Sequence, residues 1–179
     1  MGFPTARPPF KNMNLTQEQV NSFGLQPGDM ILYYESCPLD WVIVEKTGSA
    51  PPVGHVEVYA GNNQSMAARA EGVNCYPLRL DHVVCSRRPK DELNFAAGLR
   101  WFNGIAKGQA YDLRGLLCFT ALVKAGTPGD MFCSEFATNF YRWSMIELFN
   151  PSQPADHVSP RDLWACERLH TFWADAGYE

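Results

Sequence analysis

Apolar and polar residues alternate most cleanly over His55-Val56-Glu57-Val58-Tyr59, and Gly61-Asn62-Asn63 follows almost at once. A period of two closed by turn chemistry predicts a strand entering a hairpin. QSMAARA (64–70) is then the partner strand, despite its alanines. MILYY (30–34) is an apolar run behind a Pro27-Gly28-Asp29 turn and predicts a further strand. GVNCYPLRL (72–80) follows the hairpin, and another strand is expected around residues 83–86. WVIVEK (41–46) fits either a strand or a short helix.

Helical spacing takes over elsewhere. Residues 14–23 predict a short helix, capped by Asn14 or Thr16, with Glu18 in its first turn. Residues 92–106 carry a mixed apolar face, and 116–124 form a short apolar segment closed by GTPGD. Phe136, Ala137, Phe140, Tyr141, Ser144 and Leu148 recur at i, i+3, i+4 and predict one long helix over 132–149. In SPRDLWACERLHTFW, Ser159, Pro160 and Asp162 are a helix-start signal, so His170 is expected in a C-terminal helix. The whole reads as α+β, a mid-chain antiparallel sheet with helices packed on it.

Composition narrows the functional classes. The chain has 179 residues, 46% hydrophobic and 19% charged, with a formal net charge of −4. That suits one folded domain and argues against an extended nucleic-acid surface. No apolar run is long enough to span a bilayer, and the N-terminus lacks the apolar core of a signal peptide. A cytoplasmic location is expected, with delivery by a non-classical route left open. Six cysteines stand at 37, 75, 85, 118, 133 and 166, none in a CxxC pair. Without a signal peptide they are expected as reduced thiols. Cys75, His82 and Cys85 lack a zinc spacing.

Cys133 opens the 132–149 helix, where unpaired backbone N–H groups and the dipole favour a thiolate. A small buried apolar group between Phe132 and Phe136 is the competing reading. The partner matters. On a strand, His55, Glu57 and Tyr59 share one face and Val56 and Val58 the other. A half-buried strand ordinarily turns such a polar face to water. Alternatively, the face meets the start of the Cys133 helix, and supplies what cysteine hydrolases need: an imidazole and a group to orient it. Glu57 lies two residues from His55 and is within reach of it. His82, His157 and His170 read as surface or structural, and Ser134 as a first-turn hydroxyl.

These segments, in order, resemble the circularly permuted papain-like hydrolases of the NlpC superfamily, in the YiiX/YebB-like group. LQPGDMILYY is similar to the family's first strand, GHVEVYAGNNQSMAARAEGV to its histidine strand and hairpin, and YDLRG to an element before the nucleophile. FCSEFATNFYR is similar to the "CSE" helix and SPRDLW to the closing element. His55 precedes Cys133, as permutation requires. The resemblance implies a permuted papain-like fold: a small, barrel-like antiparallel sheet against helices, with the nucleophile at a helix N-terminus. It makes residues 1–24 an arm with a short helix, and 25–179 a single catalytic domain. It also implies Cys133 as nucleophile and His55 as base. Relatives place the third polar residue on the strand after the hairpin. Here that position is Ala67, so Glu57 is the expected substitute and Asp112 the reserve.

The chemistry so implied is acyl transfer through a Cys133 thioester, with no metal or organic cofactor. Backbone N–H groups at the helix start would receive the oxyanion, with Tyr33 or Tyr34 as candidate side-chain donors. The expected substrates are amide bonds of small peptides such as those of the cell wall. Two other readings are a lipid acyltransferase or thioesterase of the lecithin:retinol acyltransferase kind, acting on a lipid or lipid-amide substrate, and an inactive binding or structural member. Oligomeric state is left open.

Overall fold

A computed structural model describes residues 15–35, 43–45, 48, 52–112 and 131–174. The arm before residue 15, Cys37, Cys118 and the 116–124 segment lie outside the described residues. The first helix, α1 (Gln17–Ser22), starts at Thr16 rather than Asn14, with a reciprocal bond pair between Thr16 and Gln19. Ile43, Val44 and Glu45 are helical, which decides the 41–46 ambiguity where that segment is described.

Six strands follow: β1 (Met30–Tyr33), β2 (His55–Gly61), β3 (Gln64–Arg69), β4 (Gly72–Pro77), β5 (Val83–Pro89) and β6 (Leu169–Ala174). They form one antiparallel sheet in the order β4-β3-β2-β1-β5-β6. The sheet is open, with β4 and β6 at opposite edges, and does not close as the small barrel expected from the sequence. At one edge β4 ends in Pro77, which has no amide hydrogen for a further strand.

The β2–β3 hairpin turns through Asn62 and Asn63 at φ 52° and 55°, the left-handed pair that suits the twist of the flanking strands. The Pro-Gly-Asp turn before β1 is tied down on several sides. The Gly28 carbonyl accepts from the Tyr141 hydroxyl at 2.8 Å, and Arg88 forks onto Asp29 with two bonds of 2.7 Å. Gly28 itself sits at φ +96°, and a Cβ there would strike Leu93.

Helices cover one face. The second helix, α2 (Phe95–Trp101), capped by Asn94, opens into a wider π-type turn over Phe102–Ala106. It starts three residues later than the periodicity predicts. The third, α3 (Cys133–Trp143), packs Phe136 and Phe140 on Trp101 and Phe95, with ring centroids 5.8 Å apart in each pair. Met30, Leu32, Val56, Val58, Met66 and Ala68 supply the sheet's side of this core. A smaller cluster of Ile31, Tyr33, Tyr59 and Val83 lies on the other face, so the central strands are buried on both sides.

Two expectations are corrected. α3 ends at Trp143, not Phe149. Met145 takes φ +66°, the Ile146 amide returns to the Tyr141 carbonyl and the Met145 amide to that of Arg142. This is a Schellman ending, and it lets Ile146 and Leu148 stay buried without helical backbone. The C-terminal helix, α4 (Pro160–Ala165), is capped by Ser159 as expected but is only six residues long. Buried Arg87 donates to the carbonyls of Leu163, Trp164 and Leu169, satisfying the groups freed where the helix stops. His170 therefore lies on β6, not in a helix. Among the described residues, no helix is long and apolar enough to cross a membrane.

Candidate active site

Cys133 is the first residue of α3, capped by Phe132 in extended conformation without a side-chain cap. Ser134 is buried, and its hydroxyl donates to the Val158 carbonyl at 2.7 Å, a structural bond that fastens the helix start. His55 is the first residue of β2. Register with β1 pairs Tyr33 with His55 and Ile31 with Glu57, so His55, Glu57 and Tyr59 do share a face. That face is not solvated: Glu57 is fully buried and Tyr59 nearly so. The body of α3 packs on the opposite face, against Val56 and Val58. At the end of the sheet the two first residues come together, close enough for the charge of Cys133 to act on the His55 imidazole.

His55 Nε2 lies 3.0 Å from Glu57 Oε1. The other ring nitrogen, Nδ1, is thus the one left for the sulfur. Burial alone would lower the imidazole pKa, but the charge and hydrogen bond of Cys133, then those of Glu57, outweigh it and raise it to about 10. Burial pushes the Glu57 carboxyl up, but His55 and then Arg69 pull it down to about 2. The arrangement sets one imidazole between the Cys133 side chain and the Glu57 carboxylate, and both favour its protonated form.

Three residues that the sequence reading missed surround Glu57. The Ser65 hydroxyl donates to Oε2 at 2.5 Å, Arg69 Nε to Oε1 at 2.8 Å, and Arg69 Nη2 to Oε2 at 3.0 Å. Arg79 Nε stands 3.7 Å from Oε1, while its Nη1 pairs with Glu35. The hairpin alone does not announce Ser65 and Arg69, because a one-residue shift in its register decides which face they take. The Asn62-Asn63 turn pairs Gly61 with Gln64, and an irregularity between Tyr59 and Gly61 then pairs Tyr59 with Ser65, so that continuing by twos brings Ala67 and Arg69 beside Glu57 and His55.

The reserve acid, Asp112, is buried beside the start of α3 and bonds through its amide to the Met131 carbonyl. Burial, Asp156 and Asp112 together push the Glu135 carboxyl up to about 7, against a bond from the Phe132 backbone that lowers it. The carboxylate at hydrogen-bond distance from His55 is that of Glu57. Of the candidate oxyanion donors, the Tyr33 hydroxyl donates to the Arg79 carbonyl at 3.3 Å. Tyr34 lies in the same apolar cluster as Cys133.

A groove of about 490 Å³ opens beside His55, lined by Gly54, Arg69, Tyr76, Arg79 and Tyr111 among others. Neither a protein-family model nor a curated protein matches the chain.

Proposed function

We propose that this chain is a cysteine hydrolase of the permuted papain-like kind, working by acyl transfer through Cys133. The observation that carries the reading is a single imidazole set beside Cys133 and bonded at 3.0 Å to a buried, ionised carboxylate. That is the nucleophile, base and orienting group of cysteine hydrolases. The chain order, histidine strand before cysteine helix, agrees with a permuted relative.

The steps follow from the positions. The thiolate forms a bond to the substrate carbonyl carbon, and the oxyanion takes hydrogen bonds from backbone N–H groups at the start of α3. As the tetrahedral adduct collapses, the C–N bond breaks and His55 gives its proton to the departing amine. His55, now neutral, takes a proton from water. The hydroxide equivalent attacks the thioester, the carboxylic acid leaves, and the sulfur is freed. Glu57 stays ionised throughout and holds the ring.

The groove favours short peptides over acyl chains of lipids. Its lining includes Glu35, Arg69, Glu71 and Arg79, charges that a hydrocarbon chain would have to desolvate at a cost of several kcal/mol. Incubation with an activated acyl donor such as a p-nitrophenyl ester, quenched in acid and followed by peptide mass mapping, tests the reading. The expected result is one acyl group on Cys133 in the parent and none in Cys133→Ala. An acyl group found on another residue, or none on a folded parent, would count against it.

A further inference from the structure

Glu57 is shut off from bulk solvent, since its side chain is fully buried. Its ionisation therefore depends on protein donors, and after His55 itself Arg69 is the largest of them. The last residue of β3, Arg69 grips both oxygens of Glu57 through Nε and Nη2, the bidentate arrangement that fixes direction as well as charge. The Tyr76 ring lies 4.4 Å from the guanidinium, and its hydroxyl is anchored to the Gly72 carbonyl at 2.7 Å. Ser65 holds Oε2 from the other end of the same strand. Between them stands buried Ala67, whose methyl group leaves the carboxylate free to fold along its own strand toward His55.

We propose that Arg69 is the positioning residue of this site: it keeps Glu57 ionised and aimed at His55, and so decides whether Cys133 reacts near neutral pH. The proposal rests on the reading of Cys133 as a nucleophile.

Charge and position make opposite predictions here. Arg69 is a cation near the imidazole, so removing only its charge would favour the proton on His55 and strengthen the thiolate–imidazolium pair. Removing the grip lets Glu57 swing away or take a proton, which weakens the pair. The readout is the rate of Cys133 alkylation by iodoacetamide at pH 6.5 divided by that at pH 9.5, which cancels changes in access. In the parent the ratio should be near one. In Arg69→Met it should fall about tenfold or more, and ethylguanidinium added to that variant should restore much of it. Arg69→Lys keeps the charge but not the fork, and should fall between the two. If Arg69→Met does not fold, Arg69→Lys decides the matter, with a lowered ratio expected. An unchanged or raised ratio in a folded variant overturns the positioning role. A parent in which Cys133 is not alkylated at pH 6.5 overturns the hydrolase reading beneath it instead.

Discussion

Turnover of an acyl substrate should drop roughly 10²- to 10⁴-fold when His55 is replaced by alanine, the range for losing a positioned proton-transfer group. Two functions disappear with the ring. Nothing then holds the proton that the leaving amine needs, and the cation beside the Cys133 sulfur is gone. The fold should survive. His55 lines the groove with a side chain only 14% exposed, and it bonds to buried Glu57. Yet Glu57 keeps Arg69 and Ser65 in the variant. The expected cost is about 1.5–3 kcal/mol, the scale of one hydrogen bond to a charged group. Steady-state kinetics and a urea melt on the same preparation check both halves. Large unfolding with little change in the residual rate would make His55 a structural histidine.

The largest effect on stability should come from Glu57→Gln. The amide matches the shape, but one end now presents N–H donors to groups that are themselves donors: Arg69, Ser65 and His55. Breaking a buried ion pair from one side costs on the order of 3–5 kcal/mol. The pH dependence gives a second signature. Glu57 titrates at about 2 in the fold, below its ordinary 4.5. Its contribution is thus fully present above pH 4.5 and is lost as the pH falls through that window toward 2. His55, raised to about 10, contributes fully below its ordinary 6.5, and that part is lost as the pH rises toward 10. The two windows describe one coupled pair and are not to be added. Urea midpoints at pH 3, 4.5, 7 and 9.5 should show both slopes in the parent, and the acid slope should vanish in Glu57→Gln. The variant should also need alkaline pH for full Cys133 reactivity. An acid slope that persists in it would assign that slope to another carboxylate.

Local chemistry made much of this legible beforehand. The alternation of 55–59, the paired asparagines and the Pro-Gly-Asp turn predict β1, β2 and the β2–β3 hairpin because each is decided within a few residues. Thr16 and Ser159 mark their helices through bonds to residues three positions on. The illegible parts depend on distant partners. Leu148 falls on the apolar period of α3 but reaches the core through a Schellman turn. The left-handed residue there is Met145, where a glycine would have announced it. The stop of α4 rests on Arg87, far away on β5. Whether the sheet closes is decided by its edge strands, β4 and β6, which lie far apart in sequence. The site divides the same way: Cys133, His55 and Glu57 stand out by residue type and position. Arg79 supports them from beyond the hairpin, with no local pattern to mark it.

The central claim is that electrostatics rather than exposure makes Cys133 the reactive thiol. The described cysteines set the two against each other. Cys133 is 1% exposed, as is Cys85, whose thiol burial pushes up to about 12. Cys75 is the most accessible of the four described, though burial raises its thiol too. Brief treatment of the native protein with sub-stoichiometric iodoacetamide at pH 6.5, followed by denaturation, digestion and peptide mapping, lets all the thiols compete. The account predicts label chiefly on Cys133, from a thiolate paired with His55. Equal or greater label on Cys75 or Cys37, with Cys133 recovered unmodified, would contradict it.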